Sequence, residues 1–285
     1  MSLEELYPYS VKRITLAGHD CAYIDEGRRG TPMVFLHGFS VNLASFAKSY
    51  PHFLKNHRVI ALDYPGYYLS EKKDAPYDIP FMARAVAELL DKLDLKKAVL
   101  VGSSMGGAIA LEAALLRPEL VGALVLAAPV GFSGRNVLLS WVVGLQRMLL
   151  PRGKVIATMS ARLPVRVATF FADESNPAAG KIRAAYEMMK ERGDYGLWIM
   201  ALVRMAQSVL SADLARRVRD VALPTLIIWG DRDRVLPPAG AERAKRAIGD
   251  CATIVVVPGV GHLPFIEAAD RFHTEVDGFL TSLDL

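Results

Sequence analysis

Short, continuous apolar runs punctuate the first half of the chain: Pro32–Leu36, Val59–Leu62, Val99–Val101 and Leu124–Ala128. Runs of this length, bounded by glycine, proline or aspartate and lacking a polar face, predict strands buried on both sides. Val11–Ala17 and Ala22–Asp25 flank Gly18-His19-Asp20 and predict an opening hairpin. Between the runs the period changes. Phe81, Ala85, Leu89 and Leu93 recur at helical spacing, with Asp78 as N-cap and Pro80 in the first turn, so the pattern predicts a helix over Ile79–Leu93. Leu43–Leu54 predicts a short helix. A further helix runs from Ser104 to about Leu116 and stops at Arg117-Pro118.

After Phe132 the alternation ceases. Ser133 to Ala212 contains no convincing strand, while helical stretches recur around Val137–Leu149, Val165–Phe171, Lys181–Arg192 and Leu197–Leu210. Strand-helix alternation resumes with Pro224–Trp229, a helix near Ala239–Ala247, the strand Thr253–Val257 and a closing helix over Phe265–Leu283. The pattern implies an α/β fold: a mostly parallel central sheet of about eight strands with helices on both faces, joined by right-handed crossovers. The domain reading is a core over residues 1–132 and 213–285, interrupted by a helical cap or lid over 133–212.

Composition narrows this picture without redirecting it. The chain has 285 residues and is 52% hydrophobic, ample for a large buried core. Its formal net charge of +4 is scattered, with no basic stripe interleaved with aromatics, which argues against nucleic acid as a partner. Cys21 and Cys251 are far apart and fit no C-x-x-C pattern, as expected of buried thiols in a reducing compartment. No basic-then-apolar leader pattern is visible at the N-terminus, so the expectation is a cytoplasmic protein. The most apolar segment, Val137–Leu150, is interrupted by Gln146 and Arg147 and falls short of the roughly 20 residues that span a bilayer. The histidines show no metal-ligand spacing; no metal and no cofactor are expected. Oligomeric state is not legible.

The candidate chemistry sits where strands end. Val99–Val101 breaks into Gly102-Ser103-Ser104-Met105-Gly106, a G-x-S-x-G turn between a strand and a helix, which holds a serine hydroxyl at its apex. Ser103, beside it, is read as structural. A serine is a poor nucleophile without a base in reach and a group to orient that base. Trp229-Gly-Asp-Arg-Asp-Arg-Val-Leu-Pro237 ends one strand in a loop with two carboxylates, Asp231 and Asp233, and Pro258-Gly-Val-Gly-His262 ends the last strand in a histidine. Both lie beyond the carboxyl ends of strands, where parallel sheets bind ligands.

Together these segments resemble the α/β-hydrolase family over nearly the whole chain, in the order serine, acid, histidine. The resemblance implies Ser104 as nucleophile, His262 as general base and acid, and Asp233 as the orienting carboxylate, with Asp231 the competing acid. It also implies an oxyanion hole made by the backbone N–H groups of Met105 and Phe39, the latter following His37-Gly38. Two departures stand out. Asp63-Tyr-Pro-Gly-Tyr-Tyr-Leu-Ser70 resembles the family's D-x-P-G-x-G-x-S turn, but Tyr68 replaces the second glycine, which puts the local turn in question. Carbon-carbon hydrolases of ring-cleavage products usually have a glycine-rich loop after His-Gly and a tryptophan after the catalytic histidine; here Phe39-Ser40-Val41 and Leu263 stand there.

The implied activity is therefore carboxylic-ester hydrolysis, on short- to medium-chain acyl esters or monoacylglycerols, through an acyl-enzyme. The alternatives are a carbon-carbon hydrolase and a ligand receptor on the same fold. The expected partner is a small apolar ester, with Trp141, Leu145, Phe170, Trp198, Leu236 and Leu263 as candidate pocket residues. The apolar cap also leaves room for contact with a lipid interface.

Overall fold

In the computed structural model, which describes residue 7 and residues 9–132, 167–212 and 214–285, the opening hairpin is β1 (Lys12–Leu16) and β2 (His19–Glu26). It joins the sheet through antiparallel pairing of β2 with β4 (Arg58–Leu62). From there every pairing is parallel: β4 with β3 (Pro32–Leu36), β3 with β5 (Ala98–Ser103), then β6 (Val121–Ala127), β7 (Thr225–Gly230) and β8 (Ala252–Val257). The order is β1-β2-β4-β3-β5-β6-β7-β8. Strands β5 and β7 are buried at every position, as their unbroken apolar runs require. The edge strand β8 is exposed at Thr253 and Val256.

The helices follow the predicted periods closely. Helix α1 (Tyr50–Phe53) is short, and α2 (Ile79–Lys92) opens at Asp78, whose carboxylate accepts from the Phe81 N–H at 2.8 Å. Helix α3 (Met105–Leu116) follows β5 directly and is buried over its first ten residues, which places it against the sheet and α2. Between β6 and β7 lie a 3-10 turn (Val167–Phe170), α4 (Pro177–Lys190) and α5 (Tyr195–Ser211); α5 touches α2. The helix read over Val137–Leu149 lies outside the described residues. After β7 come α6 (Ala239–Ile248), α7 (Pro264–Glu267) and α8 (Ala269–Thr281). No helix among the described residues is long and apolar enough to cross a membrane.

Two elements differ from the sequence reading. The single helix expected over Leu43–Leu54 is a 3-10 turn (Leu43–Phe46) followed by α1. Pro51 has no N–H to return to the preceding turn, so the helix restarts there. The closing helix is divided at Ala268, which leaves helical geometry at φ −135° and ψ 56°, and so separates α7 from α8. Helix α7 ends at Glu267, whose carboxylate is used at the site below.

Candidate active site

The chain leaves β5 at Ser103 and enters α3 at Met105, so one residue makes the turn. Ser104 has φ +53° and ψ −114°, a strained conformation for a residue with a side chain. It is held by its own backbone: Ser104 N donates to Ala127 O at 2.8 Å, and Ser104 O accepts from Gly107 N and Val130 N, each at 3.1 Å. Glycine is required at 106 by close approach, since a Cβ there would lie 2.0 Å from Leu36 O at the end of β3. Gly102 answers it, because its Cβ would lie 2.4 Å from Gly106 O. The elbow is thus wedged between β3 and β6.

The Gly38 loop closes over the same point. A Cβ on Gly38 would lie 3.6 Å from Ser104 Cβ, so the loop carrying Phe39 runs beside the serine. Neither the Phe39 N–H nor the Met105 N–H donates to another described residue. Two backbone donors with no internal acceptor, flanking one hydroxyl, suit an anion that forms only during reaction.

The other two loops meet across the sheet edge. A Cβ on Gly230 would lie 2.1 Å from Gly261 O, so the loops after β7 and β8 are in backbone contact. That contact brings His262 Nδ1 to 2.7 Å from Asp233 Oδ2, with both side chains buried. Asp233 Oδ1 accepts from Val235 N at 2.8 Å and Leu236 N at 2.9 Å. A carboxylate satisfied on both oxygens is fixed in place, and it fixes the imidazole with Nδ1–H toward it and Nε2 free. Asp231 is exposed and accepts from Gly259 N at 2.6 Å, which braces the neighbouring turn. The structure brings Asp233, and not Asp231, to His262. Among the described residues no hydrogen bond joins Ser104 Oγ to His262 Nε2; such bonds are commonly long until substrate is bound.

Glu267 was not legible as part of this assembly. Its Oε2 accepts from Gly261 N at 3.1 Å and Ala172 N at 2.7 Å, and its Oε1 accepts from Leu263 N at 3.2 Å. It thereby clamps both neighbours of His262 to the segment preceding α4. His262 N also donates to Phe170 O at 2.8 Å. The only hint in the sequence is a glutamate one turn after Pro264, a placement suited to folding back on free N–H groups at a helix start.

The remaining pocket candidates separate. Phe170 lies with its ring centroid 5.9 Å from that of His262, Leu263 is buried beside it, and Leu236 is half-buried on the Asp233 loop. Trp198 is fully buried, with its ring against Tyr68, Tyr186 and Tyr195. Trp141 and Leu145 lie outside the described residues.

Beneath the Phe39 loop sits a buried pair, His37 and Asp63, with Nε2 3.9 Å from Oδ1. His37 Nδ1 donates to Gly38 O at 2.8 Å, and Nε2 has no hydrogen-bond partner. Burial lowers the imidazole to about 4. Burial also raises the Asp63 carboxyl to about 6, although Tyr7 OH and the N–H groups of Leu43 and Leu69 donate to it. Between pH 4 and 6 the unfolded chain carries its proton on the histidine, and the folded chain carries it on the aspartate. The proton counts match, so the two slopes of stability against pH cancel. His37→Gln leaves the raised carboxyl alone, a group whose stabilising proton is present below its unfolded value of 3.8 and is lost as pH rises through about 6. Between pH 7 and pH 4.5, the unfolding free energy of this variant is expected to improve on the parent's by about 2 kcal/mol. Urea titrations at the two pH values check this; an unchanged difference would refute it.

Comparison with known proteins bears on the fold that carries this geometry. Residues 31–269 match the model of the alpha/beta hydrolase fold. The chain is 32% identical, over 89% of its length, to the dihydrolipoyllysine-residue acetyltransferase component of the acetoin cleaving system of Pseudomonas putida, and spans 64% of that protein. It is 28% identical to the pimeloyl-[acyl-carrier protein] methyl ester esterase of Xanthomonas axonopodis pv. citri, covering 92% of this chain and 99% of that one. Among solved structures, a meta-cleavage product hydrolase from Pseudomonas fluorescens IP01 superposes with a TM-score of 0.75 at 27% identity, covering 95% of this chain and 97% of that one.

Proposed function

The chain belongs to the α/β-hydrolase family, and from that premise we propose that it hydrolyses carboxylic esters through an acyl-enzyme on Ser104. The observation that carries this reading is the Asp233–His262 bond at the same strand-end edge as a strained serine flanked by two unused N–H donors. In the reaction, Ser104 Oγ attacks the ester carbonyl while His262 Nε2 takes its proton. Asp233 holds the imidazole and stabilises its charged form. The Phe39 and Met105 N–H groups receive the developing oxyanion, a contribution of about a hundred- to a thousandfold per donor. His262 then returns the proton to the leaving alcohol, and a water activated by His262 releases the acid. Every atom used belongs to the chain, the ester or water, and the scheme calls on no cofactor.

The substrate proposed is a small apolar ester with a short- to medium-chain acyl group. An esterase relative at full-length coverage supports it, as do the apolar side chains of Phe170, whose ring lies near that of His262, and of Leu236 and Leu263 on the Asp233 and His262 loops. Residues 133–212 are proposed as the lid over a core of residues 1–132 and 213–285. Trp198, fully buried and packed among tyrosines, is proposed to shape the wall of this lid. The second reading, a carbon-carbon hydrolase, is favoured by the similarity to the meta-cleavage product hydrolase. The chain's Leu263 and Phe39-Ser40-Val41 stand against it.

Treatment of folded protein with a fluorophosphonate, followed by peptide mass spectrometry, is expected to place one adduct on Ser104. Absence of that adduct would overturn the nucleophile. Nitrophenyl esters from acetate to decanoate are expected to turn over with a maximum at intermediate length and to outrun a vinylogous diketone acid by at least a hundredfold. The reverse ranking would select the carbon-carbon hydrolase.

A further inference from the structure

Tyr68 occupies a backbone position that a glycine would fill without strain, for its φ is +33°. A bulky residue stays in such a conformation only where its surroundings over-determine it. Three contacts do so. The phenolic OH donates to Ser40 O at 2.8 Å. The ring meets Trp198 of α5 edge-on, with centroids 5.4 Å apart. Its carbonyl accepts from Lys72 Nζ at 2.6 Å, and this buried ammonium pairs in turn with Asp194, the residue at the N-cap of α5, at 3.1 Å. One side of Tyr68 is therefore tied twice to α5, by ring packing and by the lysine relay. The other side is tied to the loop that carries Phe39. Ser40, directly after Phe39, is itself held at φ +59°, and the tyrosine OH is what its carbonyl accepts. Tyr68 is fully buried.

We propose that Tyr68 is a positioning residue that couples the seating of α5 to the aim of the Phe39 N–H, so that the oxyanion site is in register only while the helices between β6 and β7 are docked. This rests on Phe39 as an oxyanion donor of the proposed hydrolase. Removing the OH frees Ser40 O, and the left-handed Ser40 relaxes, turning the adjoining peptide. A misplacement of about 1 Å at a reacting group is enough to cost about a hundredfold in rate. The consequence is selective: the interaction with a tetrahedral oxyanion weakens, while binding of an uncharged ground state does not.

The test uses the full chain and three variants. Tyr68→Phe keeps the ring against Trp198 and removes only the OH. It is expected to lower kcat for a nitrophenyl butyrate ester tenfold or more with KM within twofold. A butyl trifluoromethyl ketone, which forms a tetrahedral adduct with the serine, should bind weaker by the same factor as kcat falls, while the corresponding unreactive amide binds unchanged. Asp194→Asn and Lys72→Met weaken the lysine relay while leaving the ring contact with Trp198, and should give the same signature at threefold or more. They carry the test if Tyr68→Phe does not fold. Parent-like kcat and ketone affinity in the folded variants would overturn the proposal, and so would a loss of amide affinity in step with kcat, which is the mark of a general structural defect. Fluorophosphonate labelling of the parent separates the two failures. A parent labelled at Ser104 with unaffected variants removes the role of Tyr68 alone, whereas an unlabelled parent removes the hydrolase reading and this proposal together.

Discussion

Replacing Ser104 with alanine is expected to reduce ester turnover by about 10⁵- to 10⁶-fold, because nucleophile and base act as a unit and loss of either removes nearly all chemistry beyond binding. The fold should be retained. The elbow is held by backbone bonds of residue 104 to Ala127, Gly107 and Val130, which alanine keeps, and alanine at φ +53° is strained to much the same degree as serine. The neighbouring Ser103→Ala change is the internal control. Ser103 Oγ is buried without a hydrogen-bond partner, so its removal breaks no bond and should leave turnover within a few-fold of the parent. Nitrophenyl ester assays on both variants, with melting curves alongside, decide the matter. Strong loss in Ser103→Ala with activity retained in Ser104→Ala would move the apex by one residue.

The largest expected effect on stability comes from Gly106→Ala. A methyl group there would lie 2.0 Å from Leu36 O and 2.6 Å from His37 O. Both are backbone atoms at the end of β3, where the chain turns toward Phe39, so the clash cannot be relieved by rotating a side chain. A cost of about 4 kcal/mol or more is expected, at the upper end for single substitutions. Gly180 offers the opposite case inside α4, where a Cβ would meet nothing within 4 Å. Gly180→Ala should stabilise by about 0.5–1 kcal/mol through helix propensity. Urea unfolding of the two variants measures both, and a loss below about 1 kcal/mol for Gly106→Ala would show that β3 and α3 can separate without penalty.

What the sequence made legible follows from the range of the interactions involved. The strands were readable because β3, β5 and β7 are buried on both faces and so are apolar at nearly every position. The start of α2 was readable because Asp78 and Pro80 act within one turn of it. Candidate loops could be placed for the same reason, since each follows a strand. Long-range features were not legible. Nothing local in Glu267 says that it will join Gly261, Leu263 and Ala172. Nothing local in Tyr68 says that the turn will keep a glycine-like backbone, because the contacts that hold it come from Ser40, Lys72 and Trp198. The division at Ala268 belongs here too: apolar periodicity runs across it, while the backbone leaves helical geometry there. The carboxylate choice lay between these limits. Asp231 and Asp233 are equivalent by composition; the resemblance points to Asp233, and in the fold Asp231 is taken up by Gly259 N while Asp233 meets His262.

The hold of Phe170 and Ala172 on the histidine loop bears on how this protein could be recombined with its relatives. On the proposed division, the helices between β6 and β7 would be a cassette to exchange whole at residues 133 and 212. Yet His262 N is bonded to Phe170 O, and Ala172 N to Glu267, so a cassette cut at those points would carry off part of the histidine's own anchorage. The natural crossover on the cassette's far side is composite. A graft that keeps residues 170–172 with the host, or that brings its own partner for Glu267, preserves the histidine's anchorage; one that ignores them gives up both bonds.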